Sequence, residues 1–118
     1  MNKVKGLSGS AGVARGTARV IHTLAEAGKL QPGDVLVTIS TEPPWTPLFA
    51  TASAIVTDSG GVLSHSAVVA REYRIPAVVG TGNATTTFKD GQLIEVDGNA
   101  GTVRVVVEEQ VYEPALAG

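Results

Sequence analysis

A chain of 118 residues with a formal charge of −2, 17% charged residues and no cysteine is long enough for one domain with a core and too short for several. The missing cysteines exclude disulfides, thiolate catalysis and a zinc ribbon, two histidines leave little for a transition-metal site, and no basic stripe interleaved with aromatics marks a nucleic-acid partner. Met1 to Gly6 hold no apolar leader and no run approaches a membrane span of about 18 apolar residues, so we expect a cytoplasmic protein without a membrane partner.

Along the chain, Gly9 to Gly16 is glycine-rich, but its spacing fits neither a dinucleotide fingerprint nor a P-loop. Gly12 to Ile21 alternates loosely and reads as a strand, with Val13, Thr17, Arg19 and Ile21 opposed to Ala14, Ala18 and Val20. Thr23 to Leu30 suits a short helical or turn segment, which Pro32-Gly33 ends. Val35 to Ile39 has few polar residues, as a strand covered on both faces would. Pro44 or Thr46 can open a short helix through Ala52, since proline is tolerated in a first turn. Ala54-Ile55-Val56-Thr57 is apolar and β-branched and suits a short buried strand.

Next come Asp58-Ser59-Gly60-Gly61-Val62-Leu63-Ser64-His65-Ser66-Ala67. The twin glycines supply a turn, and Ser64 to Arg74 contains no Gly or Pro, which favours a helix. Ser64 is a candidate N-cap, and Leu63, Ala67 and Ala70 form a core-facing stripe. Ile75-Pro76 stops the helix. Ala77 to Val79 and Leu93 to Val96 read as strands. The turn Asp97 to Gly101 leads into a strand from 102 to 107. Strand, helix and strand over 54–79 make a parallel βαβ unit, the pair 93–96 and 102–107 an antiparallel hairpin, and the whole a mixed α/β domain. Residues 1–118 are expected to form this single domain, with 108–118 a surface tail.

The chemistry concentrates at His65. An imidazole has an ordinary pKa of about 6.5 and is largely neutral, hence nucleophilic, near pH 7. In the first helical turn it lies beside orphan backbone N–H donors. The dipole there favours the phosphorylated form by roughly 0.3–1 kcal/mol, up to about 2 if partly buried. This reads as a histidine that takes up and hands on a phosphoryl group, with Gly60, Gly61, Ser64 and Ser66 supporting the group. Ser66 could donate to the phosphoryl or simply face water.

Other candidates are weaker. Gly80-Thr81-Gly82-Asn83-Ala84-Thr85 begins like a phosphate loop but has Thr85 where the third glycine would stand. His22 has no ligand-spaced partner and reads as a surface residue. Arg71 lies about 9 Å along the axis from His65, so a structural or docking role suits it better than a phosphate clamp. Trp45 could be exposed for a partner or folded over the core.

The run from Gly60 to Gly80 closely resembles the signature of the phosphoenolpyruvate-utilising enzyme mobile domain. This is the swivelling phosphohistidine domain of phosphoenolpyruvate synthase, pyruvate phosphate dikinase and rifampicin phosphotransferase and, more distantly, of enzyme I of the sugar phosphotransferase system. Gly33 to Val37, Thr41 to Phe49 and Asp90 to Val103 resemble further family segments in family order, so the resemblance spans roughly residues 6 to 107. It implies a three-layer β/β/α fold with mixed sheets and a carrier phosphorylated on His65. It also implies a nucleotide-binding (ATP-grasp-like) domain that holds ATP and Mg and a separate acceptor domain, either in trans or in a longer parent. No cofactor is expected on this domain itself. Two positions depart from the pattern. Leu63 stands where dikinases and the synthase carry threonine, which with Pro44 to Leu48 resembles the rifampicin phosphotransferase branch. Arg74 stands where glycine is common. The other reading is a non-catalytic interaction or regulatory module that keeps the fold.

Overall fold

The computed structural model describes residues 3–106. Its strands are β1 (Lys3–Lys5), β2 (Leu7–Ser10), β3 (Val13–Val20), β4 (Val35–Thr38), β5 (Ala54–Thr57), β6 (Ala77–Val79), β7 (Leu93–Asp97) and β8 (Thr102–Val105), with helices α1 (His65–Tyr73) and α2 (Ala84–Thr87). Two 3-10 helices, Leu24–Lys29 and Pro43–Ala50, connect β3 to β4 and β4 to β5. The strand order is β1-β8-β7-β3-β4-β5-β6-β2.

Two strands pass between layers and fold this array in two. The first half of β3, Val13 to Thr17, pairs antiparallel with β7. Its second half, Ala18 to Val20, pairs parallel with β4. On the opposite side β1, paired with β8, continues through Gly6 into β2, paired with β6. Both crossings need a residue without a side chain, because a Cβ on Gly6 would meet the Val79 carbonyl and one on Gly16 the Gly33 carbonyl.

One core lies between the two sheets and contains Val4, Val35, Val37, Val56, Val78, Ile94, Val96 and Val103. The other lies between the parallel sheet and the helical layer and contains Ile21, Leu36, Phe49, Ile55, Val69 and Ala70. Strands β4, β5 and β6 serve both cores and are buried along their whole length, which explains their unbroken apolar sequence. The result is the expected three-layer β/β/α architecture. The βαβ unit and the hairpin form as the sequence suggests, with β5 parallel to β6 and β7 antiparallel to β8.

Several expectations change. Strands β1 and β2 and the short α2 had no patterned signal. Val107 and the tail 108–118 lie outside the described residues. The stripe begins after Leu63, not at it: Leu63 sits in the turn before the helix and is 84% exposed, while Ala67 and Ala70 are fully buried. Helical spacing does not apply to a residue that precedes the helix. No helix among the described residues is long and apolar enough to cross a membrane.

Arg74 closes α1 with φ 60° and ψ 40°, and its N–H donates to the Ala70 and Arg71 carbonyls. Among the described residues no other non-glycine has positive φ, which gives the family's glycine a physical reason here. Arg74→Gly is therefore expected to stabilise the chain by about 0.5–1 kcal/mol. Calorimetry should find Tm raised by roughly 2–5 °C, whereas Arg74→Val should lower it.

Candidate phosphoryl-carrier site

The site forms where β5 leaves the sheet. Asp58 N–H donates to the Thr38 carbonyl and Ser59 N–H to the Ile39 carbonyl, each at 3.0 Å, so the exit from β5 stays tied to β4. Gly60 then turns the chain at φ 101°, a conformation L-residues avoid. A side chain there would also press on Ser64, 3.0 Å from where its Cβ would lie. Ser64 hydroxyl donates to the Gly61 carbonyl at 2.7 Å and accepts from Ala67 N–H at 3.4 Å. It is the N-cap that starts α1, and His65 is the first helical residue.

The ring of His65 is half-buried and held at both nitrogens. Thr41 Oγ1 lies 2.7 Å from Nδ1, and Thr46 Oγ1 lies 3.2 Å from Nε2. Thr41 Oγ1 also bonds Ser66 Oγ at 2.6 Å. Thr41 and Ser66 are only 5% and 3% exposed, so the contact to Nδ1 belongs to a buried hydroxyl pair. Phe49 packs against the ring edge-on, with centroids 5.9 Å apart. The two nitrogens are thus unequal. Nδ1 faces inward to a buried hydroxyl that is itself fixed, and Nε2 meets a hydroxyl at longer range on a half-buried residue.

The surroundings suit an incoming anion without neutralising it. Among the described residues, the N–H groups of His65 and Ser66 have no acceptor, so the positive end of α1 remains available. No Lys or Arg among the described residues bonds the ring. Arg71 donates instead to the Gly9 carbonyl at 2.6 Å and the Val62 carbonyl at 2.7 Å, clamping β2 and the histidine turn to the body of α1. That is the structural role expected of it.

The expected residues fall into distinct positions. Gly60, Gly61 and Ser64 shape the turn and cap, and His65 presents the ring. Ser66 neither faces water nor reaches the outer nitrogen, because its hydroxyl points into the protein onto Thr41. The glycine loop after β6 is closed from within: Asp58 accepts from both the N–H and the hydroxyl of Thr85, so a carboxylate of the chain occupies that turn. Trp45 is half-buried against the outer core and lines a recess of about 350 Å³ together with His22, Ser40 and Glu42. Thr41 and Thr46 carry no local mark of a site. Their signal lay in the Thr41 to Phe49 segment, whose family likeness was visible while its contact with the ring was not.

Residues 30–101 match the family described as PEP-utilising enzyme, mobile domain. The chain belongs to this family. It is 60% identical over 104 residues to the chondramide synthase of Chondromyces crocatus, covering 88% of this chain and 3% of that protein. It is 55% identical to the phosphoenolpyruvate synthase of Aeropyrum pernix, over 85% of this chain and 12% of the relative. It is 50% identical to the rifampicin phosphotransferase of Bacillus cereus, over 87% of this chain and 12% of that protein. These values do not favour the rifampicin branch over the synthase. Among solved structures, the solution structure of Enzyme I (nEIt) superposes with a TM-score of 0.61 at 37% identity, covering 71% of this chain and 35% of that one. The chain therefore corresponds to a small part of much longer relatives.

Removing the Thr41 hydroxyl while keeping its shape unpairs both Nδ1 and the buried Ser66 hydroxyl. Thr41→Val is expected to lose about 1–3 kcal/mol of stability in urea titration and to shift the Nδ1 resonance of His65 in ¹⁵N NMR. Thr41→Ser should recover most of both.

Proposed function

We propose that this domain carries a phosphoryl group on Nε2 of His65, shuttling it between a nucleotide-binding partner domain and an acceptor site. The observation that carries the reading is the inequality of the two nitrogens. Nδ1 is held at 2.7 Å by the buried Thr41 hydroxyl, which leaves Nε2, 3.2 Å from the hydroxyl of half-buried Thr46, as the less constrained nitrogen. In the attacking form Nδ1 carries the ring proton and donates it to Thr41 Oγ1, which donates in turn to Ser66 Oγ. The Nε2 lone pair then attacks phosphorus. An N–P bond forms, the donor's P–O bond breaks, and the electron pair leaves with the departing oxygen. The proton on Nδ1 stays where it is, and the imidazolium that results is stabilised by its bond to Thr41.

The backbone N–H groups of His65 and Ser66 are suited to the phosphoryl oxygens. Their contribution is partial charge only, so the cationic share of the stabilisation falls to the partner: ATP with Mg on an ATP-grasp-like domain for loading, and a second domain for the acceptor. The longer relatives leave room for both. The acceptor class this supports is a small hydroxyl or enol compound, in keeping with the synthase and rifampicin phosphotransferase relatives. A module that only binds would have no need of an imidazole engaged at both nitrogens.

With ATP labelled at the β-phosphate and the nucleotide-binding domain of the parent enzyme, the chain should acquire acid-labile, base-stable phosphate. His65→Ala should abolish the label. Equal labelling of the Ala variant would overturn the assignment.

A further inference from the structure

We infer that Thr46 is a latch on the reacting nitrogen: its hydroxyl occupies the approach to Nε2 in the unloaded domain and must rotate away before a phosphoryl group can bond there. The inference rests on the carrier reading above and adds to it a positioning residue. Thr46 Oγ1 stands 3.2 Å from Nε2 in hydrogen-bonding geometry, on the nitrogen whose lone pair must form the new N–P bond. A ring nitrogen has one in-plane position, which cannot serve the hydroxyl and phosphorus together. Whichever of the two atoms donates, the bond must break before attack.

The surroundings determine how it breaks. Thr46 lies in the 3-10 helix Pro43–Ala50, which contains Pro43, Pro44 and Pro47. Its neighbours Trp45, Leu48 and Phe49 pack into the outer core. A proline-fixed backbone with neighbours packed on the outer core leaves rotation about the Thr46 side-chain torsion as the inexpensive movement. The latch therefore opens by a rotamer change while the helix stays in place. Thr46 is also excluded as a phosphoryl acceptor. In-line transfer requires the incoming oxygen on the face of phosphorus opposite Nε2, and this hydroxyl sits on the near side.

The test needs no partner, because phosphoramidate transfers its phosphoryl group to imidazole directly. Nε2 attacks phosphorus, the P–N bond of the zwitterion breaks, and ammonia departs with the electron pair and its three protons. Formation of phosphorylated His65 would be followed by ³¹P NMR on the chain, on Thr46→Val and on Thr46→Ser, with Thr46→Ala as a second variant lacking the hydroxyl. Val and Ala should be phosphorylated roughly three- to ten-fold faster, the range expected for one hydrogen bond that no longer has to break. Ser should match the parent. The ¹⁵N resonance of Nε2 should move in Val and Ala while that of Nδ1, which reports the Thr41 contact and hence the fold, stays in place. Rates for Val and Ala equal to or below the parent would overturn the latch alone. A parent chain that takes no phosphoryl group on Nε2 would overturn both the latch and the carrier reading.

Discussion

The parallel register of β4 on β5 is the constraint on which the site depends. Thr38 pairs with Thr57 at the last rung, and both chains leave the sheet from that rung toward the same edge. Three residues later one presents Thr41, and eight residues later the other presents His65. Backbone bonds from Asp58 and Ser59 to Thr38 and Ile39 carry the pairing past the strands. A slip of one residue would invert every side chain between the two cores and withdraw the hydroxyl from Nδ1. Strands buried on both faces have no tolerance for that slip, so the packing that stabilises the domain also fixes the geometry of its imidazole.

The ring's half-burial follows from two opposed demands. A fully exposed histidine would sample several rotamers and spend little time with one nitrogen aimed outward. A fully buried one would admit no donor. Here the inner edge is fixed by a buried hydroxyl pair and by Phe49, and the outer edge meets a side chain that can turn. Order at Nδ1 and access at Nε2 are thereby separated onto two threonines, one 5% exposed and the other half-buried. Val62 and Leu63, 49% and 84% exposed, precede the ring in the same turn. They make the outer face of that turn apolar.

Much of this was legible in the sequence because local rules suffice for it. Unbroken apolar runs at 35–38 and 54–57 mark strands with two covered faces, and Gly-Gly followed by Ser-His marks a turn, a cap and a helix start. The histidine and its cap stand where local signals put them. What escaped was non-local. Lys3-Val4-Lys5 offers one apolar residue and Leu7-Ser8-Gly9-Ser10 no alternation, and the place of β1 and β2 as end strands depends on partners about a hundred and about seventy residues away. Thr41 and Thr46 look like ordinary loop hydroxyls until the β4–β5 register brings them to the ring. Ser66 stays open between the phosphoryl group and water for the same reason, because nothing within its helix reveals the threonine beneath it.

The two glycine-bearing turns at this end of the sheet show why only one is open to an outside anion. Each precedes a helix, and in isolation each would offer unpaired N–H groups to phosphate. At α2 the chain supplies its own anion. Asp58, fixed at the exit of β5, reaches across to the N–H and hydroxyl of Thr85, and Gly80 lets the two turns approach so closely that a Cβ there would lie 2.8 Å from the Gly60 carbonyl. At α1 the cap is a neutral serine, and the N–H groups of His65 and Ser66 are left without an acceptor among the described residues. An acidic cap in place of Ser64 would accept from Ala67 N–H as the serine does, but it would set a negative charge beside the imidazole. With a neutral cap at one turn and an internal carboxylate at the other, the N–H groups left without an acceptor are those beside the imidazole.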